Sequence, residues 1–319
     1  MRSVHTIPLG SKGGPRALEA IVHDTGRDGP RVAITANVHG DEVTGLVAAL
    51  GLDGWLSDHL QRGVVRLYPS LNPVGLRGLH REISPVGADL NRLFPGSARG
   101  DAPSRLAWNI WKELYGQSLD VLVDLHADSL NAIPYAIVDQ AVRLSGPTRS
   151  TMQNDLLELA EASGLTVLTE YPDDKYRRFG LDKSLAGAMV NHAGIPALTV
   201  ECGPRRAISG GAVEAMSTAV QGILGHLGLV DFETVPHPTC ASGHFQRASV
   251  PRVSRAGVFL PAVPPGAPVD VGTVLGQVRA LDGSVLEEVL SRDSGIVISW
   301  LEAAWVERHG VVGTLGIRR

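Results

Sequence analysis

His39-Gly40-Asp41-Glu42 places a histidine and a carboxylate three residues apart, where a short β-prone run gives way to a helix pattern. Imidazole nitrogen and carboxylate oxygen are both zinc donors, and a catalytic zinc commonly takes three protein ligands plus water. An HxxE pair alone is also what a solvated helix N-terminus looks like, so a third donor matters. His126 supplies one, at the end of the run Val-Leu-Val-Asp-Leu-His. Open α/β sheets bind their ligands beyond the carboxyl ends of such strands. Glu201 ends a second apolar run, Pro196 to Val200. A carboxylate there is costly without a purpose or a partner. Its two readings are an ion pair with an arginine such as Arg205, or a general base for metal-activated water.

Asp89-Leu90-Asn91-Arg92 adds recognition chemistry. Arg92 offers a planar fork for a substrate carboxylate, and Asn91 an amide beside it. Asp89 could accept the free ring N–H of a zinc-binding histidine. The chain has no G-x-S-x-G elbow, no phosphate-binding G-x-x-x-x-G-K-[ST] loop and no G-x-G-x-x-G. Cys202, next to Glu201, reads as a small buried residue, because thiol chemistry would leave the His/Glu/His set unexplained.

These residues need elements to hold them. Strands are expected at 32–36, 64–68, 121–126, 135–138, 165–168 and 196–201, and helices at about 42–60, 151–163, 185–192 and 212–227. Residues 71–103, rich in glycine and proline, read as one long functional loop. The alternation predicts an α/β fold, an open mixed sheet with helices on both faces.

Near Val235 the composition turns to Val, Gly and Pro, so we divide the chain into a catalytic domain, 1–232, and a C-terminal β domain, 233–319. Gly257-Val-Phe-Leu matches Gly295-Ile-Val-Ile at an offset of 38 (295 − 257), and Gly272 and Gly310 repeat that offset. Two such units predict a small pseudo-symmetric β-sandwich or barrel. Half-barrels of this kind occur in lipoyl carriers, but residues 235–319 contain no lysine to modify.

The 319 residues are 44% apolar and 19% charged, with a formal net charge of −4 and no basic run. That is a globular protein without a nucleic-acid footprint. No apolar run approaches membrane-spanning length, and the first twenty residues hold no secretory apolar core. Two cysteines make no disulfide framework. The expectation is a cytoplasmic protein with a small-molecule partner and neither membrane nor nucleic acid. A homo-oligomer is left open.

Taken in order, His39-Gly-Asp-Glu42, Asp89-Leu-Asn-Arg92 followed by Leu-Phe-Pro-Gly96, Asp124-Leu-His-Ala-Asp128 and strand-end Glu201 resemble the succinylglutamate desuccinylase/aspartoacylase family of the zinc carboxypeptidase clan. The bacterial predicted-deacylase branch, which includes diaminobutyrate deacetylases, looks closest, and the likeness extends over nearly the whole chain. It implies one zinc per chain on His39, Glu42 and His126. Glu201 would be the base that also returns the proton to the leaving amine. Asn91 and Arg92 would grip a substrate carboxylate, with Asp89 behind the first histidine. The family also has an arginine that polarises the scissile carbonyl; Arg81 matches it better than Arg77. Its β domain packs over the active-site mouth. The implied activity is hydrolysis of the amide of an N-acyl amino acid or related compound. A zinc carboxypeptidase, or a non-catalytic metal-dependent binding protein, are the rival readings. The charged stretch 171–180 reads as a surface loop; folded over the pocket, its Tyr176, Arg177 or Arg178 would select a second polar group of the substrate.

Overall fold

The structure is a computed structural model that describes residues 1–10, 17–83, 87–248 and 251–318. The chain begins with a hairpin, β1 (Arg2–Pro8) and β2 (Ala17–Asp24), absent from the expectations above. Then come β3 (Arg31–Ala36), α1 (Thr44–His59), β4 (Val64–Tyr68), α2 (Pro73–Gly78), α3 (Ala102–Tyr115), β5 (Val121–His126) and β6 (Tyr135–Val138). They are followed by α4 (Gly146–Ala162), β7 (Thr166–Thr169), α5 (Asp173–Arg178), α6 (Leu185–Ala188), β8 (Ala197–Glu201) and α7 (Gly210–His226). The C-terminal part is all β: β9 (His244–Ala248), β10 (Gly257–Pro261), β11 (Pro268–Val269), β12 (Val274–Arg279), β13 (Val285–Leu290), β14 (Gly295–Trp300), β15 (Trp305–Val306) and β16 (Gly313–Ile317).

Among the described residues, twelve strands form one mixed sheet, in the order β1-β2-β4-β3-β5-β8-β6-β7-β9-β16-β14-β11. Its centre, β4-β3-β5-β8, is parallel. Every residue of β5 is buried, as in a strand covered on both faces. From β3 the chain passes through α1 to β4 on one side, while β5 flanks β3 on the other. This is a topological switch point, and a crevice opens at the carboxyl ends of the strands there. Helix α7 packs against both α1 and α4, and α6 against β5 and β8.

Residues 71–103 are less irregular than expected. They hold α2, a 3-10 turn at Leu90–Arg92 and the start of α3. Asp101 caps α3 by accepting from Ser104 N at 2.9 Å. The helix buries Leu106, Ile110 and Leu114, spaced four apart, each contributing roughly 2 kcal/mol. Glycine and proline density masked that period. Likewise 173–178 is helix rather than loop.

The two repeat units fall on different sheets. Gly257 starts β10, in a four-stranded sheet β13-β12-β10-β15, and Gly295 starts β14, in the large sheet. Phe259 and Val297 from the two units share one core with Trp300, Leu275 and Val278, a sandwich as the repeat predicts. A Cβ on Gly257 would meet Arg279 O at 2.6 Å, and one on Gly295 would meet Gly316 O at 2.0 Å. Both glycines let a partner strand approach closely. The expected division at 232/233 falls between α7 and β9, and the sheet runs on across it.

Candidate metal centre

His39 and Glu42 sit on the tight turn that leads from β3 into α1. Asn37, at φ 55°, donates through Nδ2 to the carbonyls of His39, Gly40 and Glu42 and so folds the turn on itself. A Cβ on Gly40 would lie 2.4 Å from Gly75 Cα, so the residue between histidine and carboxylate must be glycine. Glu42 Oε1 lies 2.8 Å from His39 Nδ1, and Oε2 lies 2.8 Å from Nδ1 of His126, the last residue of β5. One ligand atom from each of these buried residues can be chosen so that all lie within 4.8 Å of one another.

The outer ring nitrogens are also held. His39 Nε2 faces Asp89 Oδ1 at 3.3 Å, and His126 Nε2 faces Asp124 Oδ2 at 2.9 Å. Asp124 accepts from Thr35 Oγ1 at 2.7 Å as well. A carboxylate behind each imidazole fixes the tautomer that leaves Nδ1 as a donor to a metal. Burial opposes the charge on Glu42, but the two imidazoles outweigh it and hold the carboxyl well below its usual range. Burial likewise opposes a charged His126, and Asp124 and Glu42 raise it well above the ordinary histidine value. Two buried imidazoles with the buried carboxylates of Glu42 and Asp124 and the partly exposed Asp89 have the chemistry of a divalent-cation site, and zinc suits this N/O set.

A cavity of about 240 Å³ opens on these residues. Glu201, at the end of β8, lines it beside His126, and its Oε2 is buried with no hydrogen-bond partner. Burial first, then the neighbouring Glu42 and Asp128, push its carboxyl up to about 7, against the pull of His126. Among the described residues Glu201 has no ion pair. Arg205 instead donates to the carbonyl of Asp128 at 2.7 Å and lies 3.9 Å from Glu302. The thiol of Cys202 is buried, and burial and Glu201 raise its pKa, which leaves it a poor nucleophile.

Of the other residues singled out in the sequence, Arg81, Asn91 and Arg92 line the cavity, and Arg77 does not. Ser84 and Pro85, which end the stretch holding both arginines, lie outside the described residues. Arg81 reaches Glu42 Oε1 at 3.3 Å and Asp89 Oδ2 at 3.2 Å. Asn91 Oδ1 accepts from Leu185 N at 2.7 Å, so its amide nitrogen is the end left for the cavity. Arg92 donates to the carbonyl of Asn91 at 2.7 Å.

Tyr176 and Arg178 are not brought to the cavity. Tyr176 is fully buried behind it and donates to Asp139 Oδ1 at 2.6 Å. Arg178 is exposed, over the ring of Phe179. Arg177 donates to the carbonyl of Val142. The residues that follow still shape the wall, since Leu181 lines the cavity and a Cβ on Gly180 would lie 3.8 Å from Arg92 Cδ.

Six further residues were not singled out as site residues in the sequence. Asp124 stands two before His126 on the same strand face, which was a usable signal. Asp128 and Arg205 lie close to His126 and Glu201 in the chain, and both line the cavity. Asp139, Glu170 and Arg247 line it too. Arg247 comes from β9 and pairs with Glu170 at 2.5 Å, a contact only the sheet order creates. The C-terminal part is also tied to the loop after His126: Ser129 Oγ donates to Trp300 O at 3.0 Å and Ile133 N to Ile298 O at 3.0 Å.

Residues 28–227 match the family described as "Succinylglutamate desuccinylase/Aspartoacylase catalytic domain". A stretch of 113 residues, 34% of the chain, is 35% identical to the N-alpha-acetyl-L-2,4-diaminobutyric acid deacetylase of Halomonas elongata, and spans only 32% of that relative. The crystal structure of a succinylglutamate desuccinylase/aspartoacylase from Rhodobacter sphaeroides superposes with a TM-score of 0.80 at 22% identity, covering 100% of this chain and 95% of that one. The product-bound ectoine utilization protein EutE (DoeB) of Ruegeria pomeroyi gives 0.79 at 20% identity, covering 100% and 95%. At these identities the two structures speak for the fold alone. Among the described residues, no helix is long and apolar enough to cross a membrane.

Proposed function

The chain belongs to the succinylglutamate desuccinylase/aspartoacylase family, and on that footing we propose that it is a zinc-dependent amidohydrolase, a deacylase of an N-acyl amino acid or related small N-acyl compound. The supporting observation is the convergence of His39, Glu42 and His126, each imidazole held from behind by a carboxylate. In this reading those three residues hold one zinc ion. When bound, zinc activates water for attack and polarises the scissile carbonyl.

The rest of the reaction falls to the chain's own residues. Glu201 takes a proton from the attacking water and returns it to the leaving nitrogen; its raised pKa suits both duties. Arg81 stabilises the charge that develops on the carbonyl oxygen. Arg92 and the amide of Asn91 hold a carboxylate on the substrate. Asp89 orients His39 and Arg81 together. Both cysteines are free, as suits the reducing cytoplasm, where we place the protein.

The test is a panel of N-acyl amino acids and of short peptides, incubated with zinc-loaded protein while amine release is followed. Release from N-acyl amino acids supports the reading. Cleavage confined to peptides would make the protein a carboxypeptidase, and no release from any substrate would leave a binding protein.

A further inference from the structure

One arginine beside the metal centre has no duty in the proposed reaction. Arg205 stands four residues beyond Glu201, on the loop that follows β8. Strands β5 and β8 are parallel with His126 opposite Glu201, so the chain leaving each residue rises from the same end of the sheet. Arg205 bridges these two exits. Its Nε donates to the carbonyl of Asp128, two residues beyond His126, at 2.7 Å. Glu302 steadies the pair from the C-terminal part: its Oε2 lies 3.9 Å from Arg205 Nε, and its Oε1 accepts from Leu130 N at 3.2 Å. The guanidinium is thus anchored through one nitrogen, and Arg205 lines the cavity together with Glu42, His126 and Glu201.

The two terminal nitrogens of Arg205 are idle. Among the described residues neither donates a hydrogen bond. Arg81 differs, since Nη1 lies on Glu42 Oε1 at 3.3 Å and Nη2 on Asp89 Oδ2 at 3.2 Å. A half-buried guanidinium with open terminal nitrogens is a preorganised donor, and such a donor accelerates reaction most when it meets charge that appears only in the transition state. Burial works against the charge of Arg205, but Glu42 and Asp128, followed by Glu302 and Asp41, overcome it and raise its pKa. The same carboxylates, with Glu201, disfavour a permanent anion at this end of the cavity. A carbonyl oxygen, neutral until attack, meets no such repulsion.

We propose that Arg205 is a further catalytic residue, which donates from its terminal nitrogens to the oxygen of the scissile carbonyl as negative charge builds there, alongside Arg81. This deepens the deacylase reading and rests on it for the reaction. As the water oxygen bonds to the carbonyl carbon, one water proton goes to Glu201 and the C=O π pair moves onto oxygen, where Arg205 meets it. That pair then returns, the C–N pair leaves with nitrogen, and Glu201 gives the nitrogen its proton. The products are a carboxylic acid and a free amine.

The first test needs no turnover. Methylphosphonate, tetrahedral and anionic, stands in for the attacked carbonyl, and calorimetry on zinc-loaded protein measures its binding. The wild type should bind it. Arg205→Ala should weaken binding at least about tenfold, the scale of one charge-assisted hydrogen bond, with zinc content and melting temperature kept. Added guanidinium, but not neutral urea, should restore part of the loss. The second test uses the N-acyl amino acid that the wild type hydrolyses fastest. There Arg205→Ala should lower kcat by about 10²-fold with little change in KM, again with rescue by guanidinium alone. A residue that only held Asp128 would show neither the rescue nor the loss of methylphosphonate. Wild-type protein that does not bind methylphosphonate, which requires no variant, overturns the proposal. So does a folded Arg205→Ala protein that binds it as the wild type does. The two tests also separate the two readings. Methylphosphonate binding that depends on Arg205, without hydrolysis of any N-acyl amino acid, leaves the oxyanion contact standing and removes the deacylase. Hydrolysis that Arg205→Ala does not slow removes Arg205 and leaves the deacylase.

Discussion

His126 and Glu201 are register partners on the neighbouring parallel strands β5 and β8. Partners in a parallel ladder point to the same face, so the backbone itself sets the third proposed metal ligand beside the proposed base. This argues for a division of labour that mutation can expose. Glu201→Gln, nearly isosteric but unable to take a proton, should keep zinc and the melting temperature while turnover falls at least about 10²-fold. Turnover near the wild-type rate would move the base elsewhere.

Asp124 tests how far the metal centre depends on its supports. Protein purified without chelator should hold one zinc per chain, and His126→Ala should lose it. Asp124→Asn leaves all three ligands in place but weakens the grip on His126 Nε2. Zinc affinity, measured by competition with a chelating dye, should drop by about 10- to 100-fold. An unchanged affinity would mean that Asp124 serves only its bond with Thr35.

Arg92 reads a carboxylate in the proposed reaction. Arg92→Lys keeps the charge and loses the fork. It should lower kcat/KM for N-acyl amino acids and spare their carboxamide analogues, which the wild type should handle poorly. A variant damaged in folding would lose both classes together. Equal wild-type rates on acid and amide would remove the amino acid from the substrate.

Asp139 gives a stability prediction with a definite sign. Its carboxyl rises from the ordinary 3.8 to about 7 in the fold, so between those values the native state binds the proton and the unfolded chain does not. That stabilisation is complete below about pH 4 and is lost as pH rises through 7. Glu170, Tyr176, Arg247 and Arg92 act on this group, and all four remain in Asp139→Asn. The variant cannot ionise there. Its melting temperature should therefore gain on the wild type from pH 5 to pH 8, by about 3 °C or more. A constant difference would show that Asp139 titrates normally.

The three residues that converge as a candidate metal site, and most central elements, were legible in the sequence. Residues 64–68, 121–126 and 135–138 are strands with the expected bounds. Central strands and helices announce themselves through local apolar patterning, and a metal ligand must be one of few residue types at a strand end or a tight turn. The sequence also singled out Asp89, Asn91 and Arg92, which lie on one short turn.

Tertiary structure alone decided the far side of the cavity. Asp139 and Glu170 become neighbours only because β6 pairs with β7, and Arg247 reaches Glu170 only because β9 joins the same sheet. It also decided against cavity positions for Tyr176 and Arg178. The charge density of 171–180 is a local property, but the direction of each side chain depends on what α5 packs against. Tyr176 turned inward because its ring could be buried while its hydroxyl met Asp139, and Arg178 stayed in water, where a guanidinium costs nothing. Which strand lies beside which is set by packing between residues far apart in the chain, and no local spacing encodes it.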